Sequence, residues 1–242
     1  MTTNNSNGHT LEVTFGKQRI PFDLEFRDRE RLAISVNPDQ SVTVAAPAGR
    51  SVEEVLERVQ KRAAWIARQR AHFEEFQPLT PPRRFVAGET HLYLGRQYRL
   101  KLTEDEIASV KLVGQFFRVH LPERNDADKV RRLLDDWYRN HAKEIFARRL
   151  DVCLESARSL GVSQPEIVVR QMTKRWGSCT KAGRILLNTE LVKTPLHCIE
   201  YVIMHELCHL KVHDHSPKFY QLLSRCMPDW ERRKQRLESF VL

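Results

Sequence analysis

Residues 205–209 read His205-Glu206-Leu207-Cys208-His209. On an α-helix, positions i and i+4 lie about 40° apart around the axis and one turn apart along it. Both imidazoles can therefore reach one metal ion, and the glutamate between them can take a proton from a water activated by that ion. Ile199, Val202, Ile203, Met204, Leu207 and Leu210 make the surrounding helix apolar over much of its circumference, as expected of a buried helix. Two histidines and a carboxylate inside it are costly unless they have partners.

A catalytic zinc usually takes three protein ligands and leaves one position open. His213, Asp214 and His215 follow the pair closely enough to supply the third. His213 continues the i+4 stripe, but its α-carbon would lie about 12 Å from that of His205, and three side chains on one straight helix converge poorly. Ser216-Pro217 reads as the N-cap and first position of a new helix carrying Phe219, Leu222 and Leu223. A helix that stops near Val212 can then turn and bring His215 back, so His215 is the preferred ligand. Metzincins have a glycine three residues after the second histidine; here that residue is Val212, and the helix must stop by another route.

The elements that must hold these residues belong to an ordinary globular composition. The chain has 242 residues, of which 41% are hydrophobic, and 40 Lys and Arg against 31 Asp and Glu give a charge of +9. That excludes wholesale disorder and fibrous architectures. No apolar stretch reaches membrane-spanning length, and residues 1–8 lack the apolar core of a secretory signal. Five cysteines without a CxxC pair point to a reducing, cytoplasmic setting rather than a disulfide scaffold. The charge permits nucleic acid as a partner without demanding it. The densest basic cluster, Arg232, Arg233, Lys234 and Arg236, reads first as a solvated helix face.

Residues 1–9 read as a disordered tail and 10–84 as a β-plus-helix region ending in a linker. Leu11-Val13-Phe15, Leu32-Ile34-Val36 and Val42-Val44 alternate as strands, with a turn at Asn37-Pro38-Asp39-Gln40. Ser51-Val52-Glu53-Glu54 has a capping-box pattern, and the helix it opens should run on toward Pro78. Three prolines make 78–84 the clearest linker. Residues 85–242 read as a central β segment followed by the catalytic domain. Strand patterns fill 85–121, and helix fills 126–160, as one rod or two, with Gly161 as the stop. Short strands follow at 167–169 and 185–187, and Thr194 is a good N-cap with Pro195 at the first helical position. No internal repeat is visible. The fold class is α+β.

Arg175-Trp176-Gly177-Ser178-Cys179, then a strand bearing Asn188, then HELCHL (205–210) and HDHSPKF (213–219) together resemble the YgjP-like metallopeptidase family, related to the WLM and SprT-like zincins. PDQSVTVAAPAG (38–49) and GETHLYLGRQYRL (88–100) extend the resemblance over most of the chain. The resemblance implies a zincin-like catalytic domain with one zinc ion per chain on His205, His209 and His215, and Glu206 as general base. It places the RWGSC strand beside the HExxH helix, where an edge strand could hold an extended peptide, with Arg175, Trp176 and Ser178 near the cleft. Arg175 and Tyr220 are candidate oxyanion stabilisers. The expected function is zinc-dependent hydrolysis of peptide bonds in protein or peptide substrates. The alternative is a DNA-associated SprT-like protease or nucleic-acid-binding protein, motivated by the charge and the C-terminal cluster. A module with a purely structural zinc is disfavoured by Glu206, which such a site does not need. Substrate identity and oligomeric state are not written in the sequence.

Overall fold

The computed structural model describes residues 9–37, 39–74, 83–173, 175–180 and 182–240. The expected tail, apart from His9, and most of the expected linker lie outside these residues. The chain divides into two compact units, residues 1–81 and 82–240. The fold is α+β.

The first unit opens with β1 (His9–Phe15), β2 (Gln18–Arg27), β3 (Ala33–Val36) and β4 (Val42–Pro47). The sheet order is β1-β2-β4-β3; the central pair is parallel and the outer pairs antiparallel. Alternate residues Ile20, Phe22 and Leu24 on β2 and Val42, Val44 and Ala46 on β4 turn inward. They meet Val55 and Val59 of α1 (Val52–Lys61) and Ala63 and Ile66 of α2 (Ala63–Glu74). The Ser51 hydroxyl accepts the Glu54 N–H at 3.2 Å, the first half of the expected capping box. The helix expected in one piece is interrupted at Arg62, where ψ rises to 1°. Strand β2 lies between the runs named from the sequence, and it carries Pro21, a residue unusual in a strand interior. Pro21 pairs only with Glu12 of β1, in the stretch before β4 joins, so its missing N–H leaves no neighbour unsatisfied on the other side.

The second unit opens with β5 (Thr90–Tyr93), β6 (Arg96–Glu104), β7 (Ser109–Val113) and β8 (Phe116–Leu121), in the order β5-β6-β8-β7. Here too the central pair is parallel and the outer pairs are antiparallel. The two sheets share one topology, although the sequence carries no visible repeat. Helix α3 (Ala127–Ser156) follows as a single rod of 30 residues, about 45 Å long. The Asp126 carboxylate caps it by accepting the Lys129 N–H at 2.8 Å. Its first half packs on the sheet: Trp137 meets Phe117 edge-on at 4.8 Å, and the Tyr138 hydroxyl donates to the Leu92 carbonyl at 2.8 Å. After a 3-10 turn at Arg158–Leu160, Gly161 takes a φ of +56° and ends the run, as its position suggested.

A small sheet of β9 (Ile167–Arg170), β10 (Gly177–Cys179) and β11 (Ile185–Asn188) comes next. Its order is β10-β11-β9, with β10 antiparallel to β11 and at the edge. A 3-10 turn at Thr189–Lys193 leads into α4 (Leu196–His209), followed by α5 (Pro217–Cys226) and α6 (Trp230–Glu238). Thr194 does not cap α4. It closes the preceding 3-10 turn, its hydroxyl donating to the Leu191 carbonyl at 2.8 Å, and Pro195 occupies the N-cap position. The β5–β6 turn is docked on this junction: Leu94 and Gly95 N–H groups donate to the Val192 and Lys193 carbonyls at 2.9 and 3.0 Å. A Cβ on Gly95 would come within 2.6 Å of the Pro195 ring, so the close approach requires glycine. No helix of the described residues is long and apolar enough to cross a membrane.

Candidate active site

Helix α4 is fixed on most of its circumference by Cys198, Ile199, Val202, Ile203, Met204, Leu207 and Cys208, all buried. His205 and His209 leave it on one side. The helix ends at His209 with Leu210 as its C-cap, and the Val212 N–H donates to the Cys208 carbonyl at 3.0 Å. The chain then turns through 213–215 and re-enters helix at Pro217, with Ser216 at the N-cap position. That turn brings His215 back over α4.

The three Nε2 atoms of His205, His209 and His215 form a triangle with sides of 3.0, 3.1 and 3.2 Å. Hydrogen bonds alone cannot satisfy it. His209 Nδ1 lies 3.0 Å from the Val212 carbonyl, which can only accept, so that nitrogen carries the proton and Nε2 offers a lone pair. If His205 and His215 both donated to it, their own Nε2–H groups would face each other at 3.0 Å. A cation in the centre resolves the conflict, and ligands about 2.0–2.1 Å from a tetrahedral ion are themselves a little over 3 Å apart. Burial, then the neighbouring His209 and His215, hold the His205 pKa down at about 3, so the ring is neutral and able to ligate. His205 Nδ1 is buried without a hydrogen-bond partner, an orphan that the ring's position imposes. His213 lines the same cleft but is not one of the three converging rings, and neither is Asp214.

Glu206 is 5% exposed, on the adjoining sector of α4. Burial raises its pKa to about 7, while Arg175 and the backbone N–H of Cys179 pull against that rise. Strand β10 lies against it. The Trp176 carbonyl accepts the Asn188 N–H and the Thr180 N–H donates to the Arg184 carbonyl, both at 2.9 Å, toward β11. By the two-residue alternation, Gly177 and Cys179 turn their backbone groups to the outer edge, where the Cys179 N–H meets Glu206. A Cβ at Gly177 would stand 2.9 Å from both Glu206 Oε1 and Val202 Cγ1. Glycine is what lets the strand lie this close to the carboxylate.

The cleft has a volume of about 710 Å³ and is lined by the three converging histidines, Glu206, His213, Arg175, Gly177, Ser178, Cys179 and Thr180. Arg175 and Ser178 are thus on the cleft wall. Trp176 packs against the hydrophobic core, and Tyr220 lies outside the lining, with its ring 6.3 Å from His215 and stacked on Trp230 at 5.4 Å. Gly177, Cys179 and Thr180 were not among the site residues expected from the sequence. The signal was present in RWGSC itself: a glycine inside a strand marks a close backbone approach. Asn188 holds the strand's approach in place, its Nδ2 donating to the Met172 and Arg175 carbonyls at 2.8 and 3.0 Å.

The C-terminal basic cluster is largely neutralised where it stands. Arg233 pairs with Glu200 at 2.7 Å and Asp229 at 2.9 Å, Arg232 with Asp229 at 3.3 Å, and Lys234 with Glu238 at 3.5 Å. Arg236 lies over the Phe240 ring at 5.1 Å. The Arg233–Glu200 pair, with Arg149 also on Glu200 at 3.1 Å, clamps α6 and α3 to α4.

Among solved structures, the metallopeptidase zymogen of Pyrococcus abyssi abylysin is similar to 38% of this chain and 90% of its own, at 18% identity and a TM-score of 0.35. No curated protein matches. The model of the YgjP-like metallopeptidase domain matches residues 30–240, spanning both units, and the chain belongs to that family of metal-dependent peptidases, whose substrates are proteins or peptides.

Proposed function

We propose that the chain is a zinc-dependent peptidase whose ion is held by His205, His209 and His215 and whose general base is Glu206. The observation that carries this reading is a triangle of ring nitrogens that hydrogen bonding cannot satisfy, set beside a buried carboxylate. Three neutral imidazoles suit zinc, one ion per chain. An ion held there supplies Lewis acidity, making water more acidic and a peptide carbonyl more electrophilic. Glu206, with a pKa near neutrality, takes the proton of the attacking water and returns it to the leaving amine. The Cys179 N–H fixes the carboxylate's orientation, and the outward backbone groups of β10 pair with an extended substrate. Arg175, charged and on the cleft wall, stabilises the developing oxyanion. Ser178 contributes to substrate contacts, whereas Trp176 supports the strand from behind. Tyr220, with its ring 6.3 Å from His215, packs beside that ligand. Five unpaired cysteines, four of them buried, support a reducing compartment such as the cytoplasm.

The decisive experiment is metal analysis of purified protein, wild type beside His215→Ala. About one zinc per chain, lost or weakened in the variant, is the expected result. Full retention in the variant moves the third ligand to His213 or Asp214, and no metal in zinc-supplied wild type overturns the reading.

A further inference from the structure

The two four-stranded sheets have the same order and sense, so the solvent faces of their strands can be compared position by position. On the first sheet, β1 and β2 expose Thr10, Glu12, Arg19, Asp23, Glu25 and Arg27. The signs are mixed and the groups answer one another. Arg19 pairs with Glu12 at 3.8 Å, the Thr10 hydroxyl donates to Asp23 at 2.8 Å, and Arg27 pairs with Glu25. This is how a solvated sheet face usually settles its charges.

The second sheet does the opposite. Inward residues Leu100 and Leu102 on β6 and Phe117, Val119 and Leu121 on β8 leave the alternate positions outside. Register then sets Lys101 of β6 opposite Arg118 of β8, and Arg118 opposite Lys111 of β7. Three exposed basic residues thus stand in one row across three strands, a span of about 10 Å. Arg99, also exposed, stands one pleat along β6 from Lys101. None of the four has an ion-pair partner among the described residues. Like charges directly opposite are destabilising, so this row is a standing electrostatic cost. In the adjacent row, Phe116 is 39% exposed, opposite Arg99 and next but one to Arg118 on the central strand. The acid within the four strands, Glu104, is the last residue of β6, and Asp105 just beyond it is held by His120 at 3.1 Å.

The charge of the whole chain points the same way. Residues 82–240 carry 29 Lys and Arg against 20 Asp and Glu, a charge of +9, while the remaining 11 and 11 cancel. We infer that the outer face of β6, β8 and β7 is a docking surface for single-stranded nucleic acid. The row of Lys101, Arg118 and Lys111 takes phosphates, and Phe116 takes the face of a base. Only an unpaired strand offers both at once on an open sheet, since a duplex hides its base faces. This surface is separate from the metal cleft and does not depend on the peptidase reading.

The test is fluorescence anisotropy of full-length protein with a labelled oligothymidylate of about 20 nucleotides, titrated with salt from about 50 mM. Wild type is expected to bind at low salt. Lys101→Gln, Lys111→Gln and Arg118→Gln combined should weaken binding at least about tenfold and lower the slope of log K against log salt by about 2. Phe116→Ala should weaken it about tenfold with the slope unchanged. Arg232→Gln with Lys234→Gln on α6 should leave it unaltered. Lys111→Gln alone, on the edge strand, should give a smaller loss and guards against misfolding of the triple variant. No binding by wild type, or equal binding and slope in the sheet variants, overturns the inference. It is equally overturned if polyglutamate or phosphatidylserine vesicles compete as well as the oligonucleotide while Phe116→Ala is silent.

Discussion

The two units begin with the same four-stranded topology and end in different chemistry. After the first sheet come two short helices that cover it, and the described part of that unit stops there. After the second comes α3, which covers the sheet with its first half and carries the chain onward to β9, β10, α4 and the histidine triangle. Both units also hold a cleft of about 710 Å³. The cleft of the first is lined by Leu32, Ile34 and Trp65 with Arg58, Arg62 and two exposed ion pairs, Arg50 with Glu54 at 3.1 Å and Lys61 with Glu57 at 2.6 Å. The cleft of the second holds a buried carboxylate beside three converging imidazole nitrogens, and the Nδ1 of His205 is buried without a partner. Volume and topology do not distinguish a site from a dent; a buried carboxylate set beside converging ring nitrogens does, because a stable fold tolerates such a cluster only for a reason.

That contrast can be broken most directly at the two acids. Glu206→Gln should lower turnover of a fluorescent casein substrate by about 10³-fold while zinc is retained, within the range of general-base losses. Glu54→Gln, in the other cleft, should leave turnover and metal content unchanged. A silent Glu206→Gln would erase the distinction. The next largest effect concerns the strand against the base. Gly177→Ala forces a methyl group against Glu206 and Val202, and should reduce kcat by about 10- to 100-fold with metal content preserved. Adding Val202→Ala relieves one of the two collisions and should restore part of kcat; no rescue would assign the loss to general misfolding.

Acid should separate the units. His91 is buried in the second unit, and burial, with Arg83 nearby, holds its pKa at about 4, below the usual 6.5. An unfolded histidine binds a proton below pH 6.5, whereas this one stays neutral until about pH 4, so stability present above 6.5 is lost as pH falls through that window. The loss is at most about 3 kcal/mol. The described residues of the first unit bury no ionisable group in this way. Differential scanning calorimetry at pH 7.5 and pH 5 should show the transition of the second unit moving down while that of the first stays. The smallest effect runs the other way: Ser51→Ala removes the cap of α1 and should cost the first unit about 1 kcal/mol, leaving the second unmoved.

Much of this site was legible because its chemistry is local. HExxH spacing, the apolar helix around it and the Ser216-Pro217 restart together located the turn that returns His215 to the helix, within a dozen residues. The cap at Ser51 and the stop at Gly161 were legible for the same reason. What stayed hidden depends on partners distant in sequence. Strand β2, which no named run covered, tolerates its proline only through its pairing. Thr194 looked like a cap because the 3-10 turn that occupies its hydroxyl has little periodicity to read. The duplicated topology and the basic row across β6, β8 and β7 arise from register, which no single strand encodes.

The length of α3 has a consequence for the protein in a cell. One rod buries Val130, Leu134 and Tyr138 with the sheet cluster and Phe146, Leu150 and Cys153 toward the site helix, so the two ends open together or not at all. A damaging substitution far out on β8 would then leave each folded molecule with normal catalytic constants and simply leave fewer of them. Such lesions would be read by proteolytic turnover and steady-state abundance, not by an altered reaction.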